Sequence, residues 1–135
     1  MSEENINVVK SFLDAGVRRD WPRVAELVDP DIELHGTVGG VEEGRIARGV
    51  AEVIQEYEKD GEAWEERRIE PEEFLDAGDH VVVLLREHLR GRESGVELEG
   101  ETAAIFTLRE GRVTRMQGFM DRAAAQKAAG LAEPS

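Results

Sequence analysis

The chain has 135 residues, 40% hydrophobic, 35% charged and 5% aromatic, enough apolar material for one core and little to spare for the surface. Its formal net charge is −13, from 30 acids against 17 bases, which disfavours nucleic acid and anionic membrane surfaces, since both are held by Lys and Arg. With no cysteine, the chain has no disulfide, no thiolate catalyst and no Cys-bound zinc.

Met1-Ser2-Glu3-Glu4-Asn5 has neither the basic nor the apolar region of a signal peptide. The longest apolar run, Val81-Val82-Val83-Leu84-Leu85, is too short to cross a bilayer. The expected setting is cytoplasmic, with neither membrane nor nucleic acid as a partner.

Ile6, Val9, Leu13 and Val17, with Phe12 beside them, recur at three- and four-residue steps and predict an amphipathic helix. Asp20-Trp21-Pro22 supplies a cap and a first-turn proline for a short second helix through Val24, Leu27 and Val28, closed by Asp29-Pro30. Asp31-Ile32-Glu33-Leu34-His35 alternates as a strand does. A glycine-rich connection follows, and Val50, Val53, Ile54 and Tyr57 mark a third helix ending near Asp60-Gly61.

The second half reads as strand and turn. Residues 63–75 are mixed in pattern, and Asp76-Ala77-Gly78-Asp79 is a turn signal. The run from Val81 is apolar on both faces, so that strand is expected to be central and covered on both sides. In so short a chain, a second copy of the sheet is one way to supply that cover, which points to a homodimer through the sheet. After a turn over residues 91–95 come a strand over residues 102–108, a tight Glu110-Gly111 hairpin and a last strand over residues 113–120. Residues 121–129 are alanine-rich and predict a closing helix, with Gly130 at its end. Residues 1–130 then form one domain and residues 131–135 a frayed tail. Helices followed by an antiparallel meander make an α+β fold, with helices packed on one face of a curved sheet.

The connection contains Gly39-Gly40-Val41-Glu42-Glu43-Gly44-Arg45-Ile46, close to the phosphate-binding pattern G-x-x-x-x-G-K-[ST]. Arg-Ile stands where Lys-Ser/Thr is needed, no parallel βαβ unit surrounds it, and the chain is acidic. Its glycines are expected to permit tight turns instead.

Several segments, in their order and spacing, resemble the nuclear transport factor 2-like superfamily, and most closely its SnoaL-like branch. They are Glu4-Asn5-Ile6-Asn7-Val8-Val9, Leu27-Val28-Asp29-Pro30-Asp31-Ile32-Glu33 and the glycine-rich loop into Ile46-Ala47-Arg48-Gly49. Phe74-Leu75-Asp76-Ala77-Gly78-Asp79-His80-Val81-Val82-Val83, Thr107-Leu108-Arg109-Glu110-Gly111-Arg112-Val113 and Met120-Asp121-Arg122 complete the set. The resemblance implies a cone: N-terminal helices on a strongly curved, mainly antiparallel sheet, enclosing a cavity where a small apolar molecule sits. It leaves activity open, because the fold hosts isomerases, polyketide cyclases, hydrolases, dehydratases and proteins without chemistry.

Steroid isomerases of this superfamily use a helix-one Tyr, an Asp after strand one and a protonated Asp on a late strand. Those positions fall on Phe12, Gly36 and Ala104, none of which handles a proton, so that reaction is not expected. Glu87 is the sharper candidate: it continues the alternation Val81, Val83, Leu85, and a carboxylate on an apolar face is a recurring acid/base device. With the opposite orientation, Arg86 and His88 would face the cavity and Glu87 a partner subunit. His35, at a strand end, is a second candidate proton carrier. Asp121 reads as a helix N-cap.

Phe12, Trp21, Leu34 and Tyr57 are candidate cavity-lining residues, together with Trp64, Phe106, Met116 and Met120. Plain core packing is the competing use of the same side chains. No spacing of His and acids makes a metal site, and nothing calls for a cofactor. Three functions stay open: acid/base chemistry of cyclase or isomerase type, ligand binding without chemistry, and a structural dimer with a filled cavity.

Overall fold

The computed structural model describes residues 2–131. Four residues of the tail expected to fray, 132–135, lie outside the described residues, whereas Leu131 packs against the neighbouring apolar cluster. The helices are α1 (Ser2–Arg18), α2 (Trp21–Leu27), α3 (Gly49–Ala63) and α4 (Arg122–Ala128). The strands are β1 (Val28–Val38), β2 (Ile46–Arg48), β3 (Trp64–Ala77), β4 (His80–Gly91), β5 (Glu97–Arg109) and β6 (Arg112–Phe119). They form a single sheet in the order β2-β1-β6-β5-β4-β3. Every neighbouring pair is antiparallel except β1–β6, which is parallel. The pattern of local turns predicts the meander of β3 to β6. It does not predict the parallel contact, which joins the two ends of the chain.

Local chemistry sets most of the element ends. Asp20 caps α2 by accepting a hydrogen bond from the Arg23 amide at 3.3 Å, with Pro22 in the first turn. Helix α2 stops at Leu27, earlier than expected, and Val28, Asp29 and Pro30 already belong to β1. Pro30 disfavours helical backbone at the residue before it, so the chain turns extended there. Glu110 and Gly111 both have positive φ, 52° and 77°, matching the twist of the β5–β6 hairpin. Helix α3 continues past Asp60-Gly61 to Ala63. All but the first of residues 63–75, of mixed pattern, belong to a 14-residue edge strand, where Pro71 is tolerated beside a register shift. The three residues of β2 were hidden in the glycine-rich connection and are a strand only because β1 offers them an edge.

The core lies between the helices and one face of the sheet, here the inner face. Val9, Phe12 and Ala15 of α1 meet Val81, Val83, Ala104, Phe106 and Val113. Val17 shares the sequence spacing yet is 78% exposed. At about 100° per residue it falls well to the side of the Val9–Phe12–Ala15 line. On the outer face, Val82, Ala103 and Phe119 are buried with Ala125 of α4. The doubly covered strand is therefore real, but the chain's own closing helix provides much of the cover for which a second copy was expected.

Arg122 fastens α4 to the sheet. Its guanidinium donates to the carbonyl oxygens of Leu85 at 2.6 Å and Thr102 at 3.1 Å, and it pairs with Glu72 and Glu101. Arg86 pairs with the same two carboxylates, at 3.2 and 3.1 Å. Together these groups form a four-membered ion cluster on the outer face. Arg122 and then Arg86 hold the Glu72 carboxyl below its ordinary range, and the two carboxylates raise Arg86.

Candidate functional site

A cleft of about 820 Å³ opens between α1, α2, α3 and the inner face of the sheet. Trp21, Tyr57, Trp64, Phe106 and Met116 line it, five of the residues expected to do so. A line of rings connects it to the core: Phe106 to Phe12 at 5.8 Å, Phe12 to Tyr57 at 6.5 Å and Tyr57 to Trp21 at 6.0 Å. These edge-on and tilted contacts stabilise the wall beyond simple burial.

Three expected lining residues belong elsewhere. Phe12, 1% exposed, lies one layer beneath the wall, because its turn of α1 points into the sheet. Leu34 borders a smaller neighbouring cleft of about 410 Å³. Met120 is 54% exposed, since the strand ends at Phe119 and the next residue turns out toward the β1–β2 connection.

Glu87 lies in the wall of the large cleft. It shares the inner face with Val81, Val83 and Leu85 by strict alternation along β4, while Arg86 and His88 face outward. The Thr102 hydroxyl on β5 donates to Glu87 Oε2 at 2.7 Å. Thr102 lies opposite Leu85, one pair along, so the bond is a diagonal cross-strand contact. Thr102 was not singled out from the sequence. The signal was available only through the β4–β5 register, which brings an interior hydroxyl beside an interior acid.

His35 does not join them. Register pairs Leu34 with Met116 and His35 with Gln117, and Met116 faces the cleft. Alternation therefore sends the His35 side chain to the outer face, although the residue also borders the smaller cleft. Its Nε2 lies 2.8 Å from Glu33 Oε1, and its side chain is 15% exposed. Hydrogen bonds from His35 and then Arg48 lower the Glu33 carboxyl from its ordinary range. Glu87 and His35 thus occupy opposite faces of one sheet.

The positions matched to the isomerase triad are equally plain. Phe12 and Ala104 are buried apolar residues. Gly36 is overlaid by the chain itself: a Cβ there would run into the Glu42 carbonyl oxygen. The glycine-rich loop folds back on β1, with Gly36 N–H donating to the Arg45 carbonyl oxygen at 2.8 Å. Gly39 N–H donates to the Glu43 carboxylate at 2.7 Å. The loop thus supplies its own anion to that amide, and Gly39 and Gly44 serve the turns with φ of 88° and 90°. Asp121 acts as the N-cap of α4, accepting from Ala123 N–H at 3.1 Å.

Among the described residues, no cluster of three His, Cys, Asp or Glu is placed to hold a metal ion, and no helix is long and apolar enough to cross a membrane.

No curated protein sequence matches the chain at a significant level. Among solved structures, a nuclear transport factor 2-like protein from Burkholderia xenovorans is 26% identical, with a TM-score of 0.78, over 96% of this chain and 98% of that one. A second such protein, of unknown function, from Burkholderia pseudomallei is 25% identical, with a TM-score of 0.76, over 94% and 97%. A protein from Jannaschia assigned by name as a SnoaL-like polyketide cyclase shares the fold at 22% identity and a TM-score of 0.75, over 99% and 96%. The profile of the SnoaL-like domain matches residues 9–116, from within α1 through α2, α3 and the strands as far as Met116 in β6. The chain belongs to the SnoaL-like domain family.

Proposed function

We propose that the cleft takes up a small, largely apolar molecule and that Glu87 meets it as hydrogen-bond acceptor and proton carrier. The observation carrying this reading is the Thr102–Glu87 hydrogen bond of 2.7 Å inside the wall. With Oε2 held by Thr102, the carboxylate is oriented, and Oε1 can address a ligand from a fixed direction. The volume of about 820 Å³ lies within the range of small-molecule sites, and the aromatic and aliphatic wall suits an apolar body. The chemistry that fits is proton transfer at a carbon beside a carbonyl, of cyclase or isomerase type. Glu87 takes the proton and returns it to another position of the same molecule. The Jannaschia protein lends support only through its fold.

Binding without chemistry is the second reading. It is favoured by His35 lying across the sheet from Glu87, which leaves Glu87 without that second proton carrier. The reading of a structural dimer with a filled interior is weakened by the size of the cleft. For partners, we propose a homodimer through the outer face, where the half-buried Leu75, Leu84 and Ile105 adjoin the ion cluster. Sedimentation velocity reports that association, and a monomer at every concentration removes it.

One experiment separates the first two readings. The wild type and Glu87→Gln are incubated with cyclic aryl ketones in D2O, with tryptophan emission reporting binding and NMR reporting deuterium uptake beside the carbonyl. Binding by both proteins with exchange only in the wild type supports acid/base chemistry. Binding by both without exchange supports a binding module. If no ketone alters the emission, small-molecule uptake itself loses its support.

A further inference from the structure

We infer that the molecule suited to the cleft is an amphipathic anion, an apolar body ending in a carboxylate or sulfonate that sits at the mouth. The inference rests on the small-molecule reading above and adds the ligand's charge and orientation. The described residues bordering the cleft include four cations, Lys10, Arg19, Arg67 and Arg92, against three carboxylates, Asp14, Glu65 and Glu87. Asp14 is answered within α1 by Arg18, at 3.2 Å.

Two of the cations are held in an unusual way for so acidic a chain. Arg92 donates to the carbonyl oxygens of Glu62 at 3.3 Å and Trp64 at 3.2 Å. Lys10 Nζ lies 5.1 Å from the centre of the Phe74 ring. Carbonyls and a ring position a cation without cancelling its charge. Arginines on the outer face are treated differently: Arg86, Arg90 and Arg122 each meet two carboxylates. With 30 acids available to 17 bases, cations held only by neutral groups at a cleft leave charge for a ligand to meet.

The net charge of −13 does not cancel the local charge of Lys10 and Arg92, because acids beyond about 8 Å are largely screened at physiological salt. Glu87 fixes the direction. A ligand anion driven inward would meet its carboxylate among apolar side chains, whereas outward it meets Lys10 and Arg92. The apolar body therefore lies along Phe106, Met116 and Ile69, with the acid group at the rim.

Two probes sharing one ring framework test this: anionic 1-anilinonaphthalene-8-sulfonate and neutral N-phenyl-1-naphthylamine. Both tryptophans of the chain, Trp21 and Trp64, line the cleft, so quenching of their emission reports binding there. The sulfonate is expected to bind about fivefold tighter at physiological salt, the scale of one exposed charge pair, with the advantage shrinking as NaCl rises toward about 1 M. Lys10→Gln with Arg92→Gln should erase the preference and leave the neutral probe's affinity unchanged. Far-UV circular dichroism verifies that each variant folds. Equal affinity for both probes, or a preference that survives in the double variant, overturns the inference while leaving small-molecule uptake standing. If neither probe quenches the tryptophans, the underlying reading fails and this inference falls with it.

Discussion

Thr102→Val is the most direct test of how the cleft holds its acid. Valine keeps the branched shape of threonine and removes only the hydroxyl, so the packing of this buried side chain changes little. The hydroxyl donates to Glu87 Oε2 at 2.7 Å. Hydrogen bonds to charged groups contribute about 1.5–3 kcal/mol. Glu87 is only half buried, and water replaces part of what is lost. A destabilisation of about 1–1.5 kcal/mol is expected, or a Tm lower by roughly 3–5 °C for a chain of 135 residues. Packing is separated from hydrogen bonding by a double-mutant cycle with Glu87→Met, which cannot accept the bond in the same way. The four proteins are unfolded in urea and followed by tryptophan emission and far-UV circular dichroism. A coupling of about 1 kcal/mol supports the bond, and one within the roughly 0.3 kcal/mol scatter of independent sites refutes it. In that event Glu87 is not oriented by Thr102, and the argument for a directed carboxylate collapses.

Other consequences follow from neighbouring parts of the fold. Gly36→Ala drives a methyl group toward the Glu42 carbonyl and should cost about 1–3 kcal/mol in chemical denaturation; unchanged stability would show that the loop is not closed over β1. Phe106→Ala, at the floor of the cleft, should cost about 3–5 kcal/mol, whereas Met120→Ala at the surface should cost less than about 0.5, and equal losses would contradict their assigned burial. Asp121→Ala removes the cap of α4 and should cost about 1 kcal/mol by thermal melting, with Asp121→Asn recovering most of it. Glu72 is held below its ordinary value of 4.5 by Arg122 and Arg86, so its contribution is present above that pH and is lost as pH falls through the lowered folded value. Glu72→Gln should therefore lower stability at neutral pH and make the decline below 4.5 shallower; an unchanged acid limb would remove the ion cluster from the account.

Much of the fold is legible in the sequence because it is local. Helical periodicity marks α1 and α3, Asp20-Trp21-Pro22 and Asp121 announce helix starts, and Glu110-Gly111 announces a hairpin. Each signal reflects a backbone preference or one apolar face, and each acts over a few residues. The face of the acid is legible for the same reason, since alternation along β4 puts Glu87 with Val81, Val83 and Leu85, but only the packed helices decide that this face, and not that of Arg86 and His88, borders the cleft. Val17 and Met120 show the limit of such patterns: periodicity says which residues share a line, and only a packed neighbour decides whether that line is covered.

The remaining decisions are tertiary. Strand β2 exists because β1 has a free edge, and β1 meets β6 through a parallel contact that no turn encodes. The outer face of β4 is covered by α4, a helix more than 30 positions away along the chain, fastened there by Arg122 on the Leu85 and Thr102 carbonyls. His35 and Glu87 are both candidate proton carriers in one dimension, yet register between β1 and β6 sends the first to the opposite face. Thr102 reaches Glu87 only because β5 returns beside β4 at that pairing. Sequence by itself determined which residues are inclined to be helix, strand, turn or interior. The pairing of the strands determined which interior polar groups meet, because a hydrogen bond of 2.7 Å depends on the register between β4 and β5 and on nothing either strand carries alone.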